Sequence, residues 1–116
     1  MTKLKKKQLK YFHQRVDYWC NYLGLSDWRV WSEEQEVDDA YGQCVADLKG
    51  RTAVIACNPL WDYDPDNTDI DKVALHEALE LLLWHLHELA SERFTTEPEW
   101  EAARHGVIRR LENVLG

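Results

Sequence analysis

The stretch TDIDKVALHEALELLLWHLHELA, Thr68 to Ala90, decides the fold. Apolar residues (Val73, Leu75, Leu79, Leu81, Leu82, Leu83, Trp84, Leu86 and Leu89) occupy nearly every side of a helix drawn through it. A helix that is apolar all round lies in a protein core or in a membrane. Roughly 22 residues would suffice to span a bilayer. Six acidic or histidine residues between His76 and Glu88 argue against a lipid-facing span. The stretch therefore predicts a central helix around which the domain packs.

Its polar residues have a helical spacing of their own. At about 100° and 1.5 Å per residue, His76 and Glu80 fall about 40° apart and about 6 Å along the axis. Side chains so placed can converge on one ion. Glu77 lies about 100° round from His76 and flanks that ion without binding it. In His-Glu-x-x-His zinc hydrolases the Glu is the general base toward zinc-bound water. Here Glu80 stands where the second His would be. A carboxylate is an acceptable zinc ligand, and two His with one Glu form a catalytic set. Zinc would thus need one more His from elsewhere. The motif is short, and a satisfied core histidine beside two carboxylates at a solvated edge has the same spelling.

At 116 residues the chain is long enough for one domain with a core of its own. It is 45% hydrophobic and 30% charged, the balance of a globular protein rather than a disordered one. A formal charge of −7 disfavours binding to nucleic-acid phosphates. Lys3, Lys5, Lys6, Lys7 and Lys10 cluster near the start, a pattern usual for one solvated helix face. Cys20, Cys44 and Cys57 are scattered and odd in number, which predicts free buried thiols and a reducing compartment. The early lysines have no apolar run behind them, so no secretory signal is read and a cytoplasmic protein is expected.

Around the central stretch, Leu9, Phe12, Val16, Trp19 and Leu23 recur at steps of three and four, predicting a first helix over Thr2–Leu23 that ends at Gly24. Trp28–Val37 reads as a strand, with a turn at Asp38-Asp39. Ala40–Leu48 alternates small inward residues (Gly42, Cys44, Ala46) with larger ones, the period of a half-buried strand. Small residues there would let a helix approach the sheet closely. Lys49-Gly50 makes a hairpin turn to the apolar strand Thr52–Cys57, and Asn58-Pro59 ends it. Asp62, Asp64 and Asp66 alternate, but a calcium loop would want Gly and Glu where Asn67 and Val73 stand. Thr68 as helix cap with Asp71 accounts for the acids better. Thr96-Glu-Pro-Glu99 is a capping box and starts the last helix, with its stripe at Trp100, Ala103, Val107, Ile108, Leu111, Val114 and Leu115. The expected class is α+β: helix, a small antiparallel three-stranded sheet, central helix, C-terminal helix.

The missing ligand is constrained by distance. On a straight helix His87 lies about 10.5 Å beyond Glu80, far outside a zinc bond of about 2.0–2.2 Å. His85 points the opposite way, and His13 is expected to be exposed beside the first helix's stripe. That leaves His105 and Glu112, seven residues apart on one face of the last helix. His105 would complete the ligand set; Glu112 would orient a ligand or take its place. A tight hairpin about residue 95 puts His105 opposite residue 85, about 7.5 Å from Glu80. The helices must cross, or the central one must end early.

The stretch HEALELLLWHLHELASERFTTEPEWEAARHGVIRRLENVL resembles small zincin-like proteins of bacteriophages and prophages, described as metallopeptidases. The likeness is close from the central helix to the C-terminus. Over the first helix and the three strands it is a likeness in element order alone. It implies a single zincin-like domain over residues 1–116, with His76, Glu80 and His105 binding zinc and Glu77 as the base. Glu80 departs from the His that most zincins carry. Two functions follow as expectations: a zinc-dependent hydrolase acting on polypeptide, or a non-catalytic protein that binds a protein partner with a structural metal or none. Six Trp residues suit an interface as well as a core. Neither a nucleic acid nor a membrane is expected as a partner.

Overall fold

Small side chains decide how closely the parts of this domain meet. In the computed structural model, which describes residues 1–92 and 95–115, the residues 42–47 form strand β3 (Gly42–Asp47). Its Gly42 and Cys44 are buried while Gln43, Val45 and Asp47 are exposed, the alternation read from the sequence. Helix α2 (Asn67–Leu82) lies directly against this strand. A Cβ at position 42 would meet Val73 Cγ1 at 2.9 Å, Glu77 Cγ at 3.1 Å and the Ala56 carbonyl oxygen at 3.2 Å. Glycine is therefore what brings α2 into contact with the sheet.

The sheet is mixed, which corrects the antiparallel expectation. Strand β2 (Arg29–Glu34) pairs parallel with β4 (Thr52–Cys57), and β3 pairs antiparallel with β4 from the other side. The order is β2-β4-β3. The turn at residues 48–51 joins β3 to β4 as read from the sequence. The segment 35–41 is long enough to carry the chain past the end of β4 to the far edge. The cause is composition. In β4, Ala53, Ile55, Ala56 and Cys57 are all buried, so the most apolar strand takes the middle. The alternating strands are left at the edges.

The first helix starts later than its periodicity suggests. Thr2–Lys3 is a short strand, β1, paired antiparallel with β5 (Leu60–Trp61), and Leu4 is buried with its N–H donating to the Pro59 carbonyl at 2.8 Å. Helix α1 then runs Lys6–Tyr22 and buries Phe12, Val16 and Cys20. Gly24 ends it at φ +71°, in the left-handed region expected for it. The thiols of Cys20, Cys44 and Cys57 are all free and buried.

Helix α2 is capped two residues before the expected place. Asp66 accepts from the Asp69 N–H at 2.9 Å, and Asp69 Oδ2 accepts from the Asp66 N–H at 3.2 Å. Asp71, read as Thr68's partner, instead accepts from Arg15 Nε and Trp19 Nε1, both at 2.7 Å, and ties α2 to α1. Nor is Thr68–Ala90 one helix. It is broken by a turn at Leu83 (φ −93°, ψ 6°), and α3 (Trp84–Ser91) follows. Leu81 and Leu82 end α2 buried, and the turn returns Leu89 to a buried place while Leu83 is left 45% exposed. Helix α4 (Glu97–Leu115) begins at the expected capping box, with the Thr96 hydroxyl 2.9 Å from Glu99 Oε1. Among the described residues no helix is long and apolar enough to cross a membrane.

Candidate metal centre

His76, Glu77 and Glu80 stand on α2 where it crosses β3. One ligand atom from each lies within 4.8 Å of the other two, so the three could hold a metal ion. His76 Nε2 is 3.4 Å from Glu80 Oε1, the i,i+4 contact that the helical spacing anticipates. Both of these side chains face solvent. Glu77 does not: it is only 4% exposed, and its Oε2 is buried with no hydrogen-bond partner among the described residues.

That burial was not legible in the motif. Glu77 Cγ packs over Gly42, so the side chain is held between helix and strand. Burial pushes its carboxyl up to about 8, with further upward contributions from hydrogen bonding to Glu80 and from that residue's charge. The Cys44 thiol beneath is pushed up to about 12, again by burial first and then by Glu77 and Glu80. A buried carboxylate oxygen without a partner carries a desolvation cost that a bound cation would offset. The donor set of one imidazole and two carboxylates suits zinc, and equally other divalent ions that take nitrogen and oxygen ligands. Among the described residues no other group of three such side chains is brought together.

The two candidates on the last helix are placed elsewhere. His105 and Glu112 are exposed, on the side of α4 away from its one buried residue, Ala103. The spacing put them on one face, but α4 packs through the opposite one. Arg110 fixes that orientation by bonding Asp27 through both guanidinium nitrogens, at 2.8 and 2.7 Å, and the Gly24 carbonyl at 2.8 Å. His13 is half-buried rather than exposed, its Nδ1 2.7 Å from the Ser32 hydroxyl. His85 borders a hollow with Trp28 and residues of α4. His87 and Glu80 border a single cavity of about 600 Å³, but His87 is not among the side chains whose ligand atoms come together.

That cavity is otherwise apolar, walled by Cys44, Trp84, Leu86, Ala90 and Trp100 among others. A second hollow of about 320 Å³ lies toward Gly42 and is bordered by Val73, His76 and Glu77. The three polar side chains thus sit between two hollows, both walled in part by β3, an edge strand of the sheet.

Comparison with protein-family models, with curated proteins and with solved structures returned no match, and so none identifies the zincin-like family that the C-terminal stretch resembles.

Proposed function

We propose that the protein is a zinc-dependent hydrolase of polypeptide, with His76 and Glu80 holding the ion, water completing its coordination where the spacing called for a third protein ligand, and Glu77 serving as the base. The observation that carries this reading is the buried, unpartnered Oε2 of Glu77 beside the donor atoms of His76 and Glu80. A structural carboxylate would have its hydrogen bonds satisfied. Here one oxygen, Oε2, has no partner among the described residues.

Zinc at this place would act as a Lewis acid and lower the pKa of water toward about 7. His76 Nε2 and Glu80 Oε1 would bind it from the solvent side of α2. Glu77 Oε2 would accept the proton from the attacking water and keep it near the leaving nitrogen, as a buried base does. Strand β3 supports the choice of polypeptide, since among the described residues no strand pairs with its outer edge, which an extended chain could take. The resemblance to phage zincin-like proteins points the same way.

A second reading, a non-catalytic protein that binds a protein partner, is favoured by one observation. Trp31 and Val45 are 54% and 55% exposed, and the pairing register sets both beside Val54 on the outer sheet face.

Zinc titration by calorimetry on untagged protein separates the two. About one zinc per chain is expected, lost in His76→Ala and in Glu80→Ala. Glu77→Gln is expected to keep the zinc and lose the hydrolysis of unfolded polypeptide. If Glu77→Gln also loses the metal, Glu77 is a ligand and not the base. Absence of zinc binding in the unaltered protein would decide for the second reading.

A further inference from the structure

The edge strand measures out what it could present to the site. Gly42 borders the smaller hollow and Cys44 the larger, and the two residues face the same side of β3. Residues two apart on a strand are about 6.6 Å apart, the interval at which a second extended chain presents its own same-side residues. A polypeptide paired to β3 would therefore offer one side chain toward each hollow, with the linking backbone next to His76 and Glu80.

The hollows differ in kind. The smaller is bordered by Lys72, His76 and Glu77 as well as Val73. The larger has the size of an ordinary ligand cavity, and its walls are dominated by Leu83, Trp84, Leu86 and Trp100. One wall carries Trp84, whose Nε1 is buried without a partner among the described residues. The Trp100 indole is not comparable, because its Nε1 already donates to the Thr95 hydroxyl at 2.9 Å. Glu80 at the rim, in a chain of formal charge −7, opposes an acidic occupant.

We propose that the larger hollow receives a large apolar side chain, aromatic or leucine-like, of an extended polypeptide lying along β3, and that Trp84 Nε1–H donates to a carbonyl oxygen of that chain. This rests on the hydrolase reading and gives its substrate class: unfolded polypeptide cut beside a large apolar residue. The aromatic walls bury the side chain, and the indole donor holds the backbone in register.

The test is titration of ¹⁵N-labelled protein, zinc-free and zinc-loaded, with N-acetyl-phenylalaninamide and with N-acetylglycinamide. The Trp84 indole N–H signal, identified by its loss in Trp84→Phe, is expected to shift with the first probe and not with the second. Ala90→Leu, a change at an exposed position on the wall, should fill the hollow and abolish the shift while leaving zinc uptake unchanged. An unmoved Trp84 signal in protein that takes up zinc overturns the apolar pocket and leaves the hydrolase reading standing. A shifted signal in protein that takes up no zinc supports the pocket and overturns the metal reading.

Discussion

Helices α2 and α4 carry similar side chains and use them oppositely. Each sets histidine and glutamate at helical intervals, His76 with Glu80 on one and His105 with Glu112 on the other. Helix α2 packs against both the sheet and α1 and buries Ile70, Ala74, Glu77, Ala78, Leu81 and Leu82. Helix α4 buries Ala103 alone among its described residues. Spacing puts two ligands on one face of a helix. Packing decides whether that face meets anything. On α2 it leaves a carboxylate oxygen buried and unpartnered; on α4 the same residue types point into water.

The largest difference should appear in how stability depends on pH. In metal-free protein the Glu77 carboxyl, raised to about 8, holds its proton more tightly in the folded chain than in the unfolded one. The stability contributed in this way is full below the ordinary carboxylate range. It is lost progressively as pH rises toward about 8. Urea unfolding at pH 5 and pH 8.5 is expected to show a loss on the order of 2–4 kcal/mol in the unaltered protein relative to Glu77→Gln. Equal losses in the two proteins would mean that Glu77 is solvated, and α2 would then differ little from α4.

Closing the gap between strand and helix should cost somewhat less. Gly42→Ala puts a methyl group within 3.2 Å of Val73, Glu77 and the Ala56 carbonyl. Overpacking of this kind costs about 1–3 kcal/mol. Adding Val73→Ala should recover part of it, because Val73 Cγ1 is the nearest obstacle at 2.9 Å. A Gly42→Ala protein with an unchanged urea midpoint would show that α2 can move off the sheet freely.

Much of this contrast was legible in the residues, and the exceptions have physical causes. The alternation of Gly42, Cys44 and Ala46 announced a strand that a helix could approach, and it does. The i,i+4 pair His76–Glu80 was readable because it depends only on helical geometry. The parallel pairing of β2 with β4 was not, since strand order depends on which strand is buried on both faces. The turn at Leu83 has no Gly or Pro to mark it. It follows from tertiary packing, and His87 stays outside the group formed by His76, Glu77 and Glu80. The burial of Glu77 was hidden as well, because it comes from a glycine 35 positions earlier in the chain.

A smaller effect is expected where α4 is tied to the body. Arg110 holds the Asp27 carboxyl below the usual carboxylate range, chiefly by hydrogen bonding. A depressed carboxyl contributes stability above that range, which is lost as pH falls through its folded value. The Asp27 side chain is 45% exposed, so solvent screening reduces the pair to about 0.5–1 kcal/mol. Arg110→Ala should lower stability by that amount at pH 7 and by less at pH 2.5. Faster amide exchange along α4, with α2 unchanged, is the signature that the tie is local.

The smallest effect is the most instructive, because it sets sequence spacing against packing. Zinc needs its ligand atoms about 2.0–2.2 Å away. His105 lies on the exposed face of α4, away from Ala103, while Arg110 holds that helix by its other side. For His105 to join His76 and Glu80, α4 would have to roll about its axis, parting Arg110 from Asp27 and Ala103 from its contacts. His105→Ala is therefore expected to leave zinc affinity within about twofold of the unaltered protein, roughly 0.4 kcal/mol. The comparison breaks if His105→Ala loses the metal. Zinc binding would then have to roll α4, and Arg110→Ala should tighten zinc by removing the contact that opposes the roll. Measuring both variants in one calorimetric series distinguishes a helix fixed away from the site from one that turns into it.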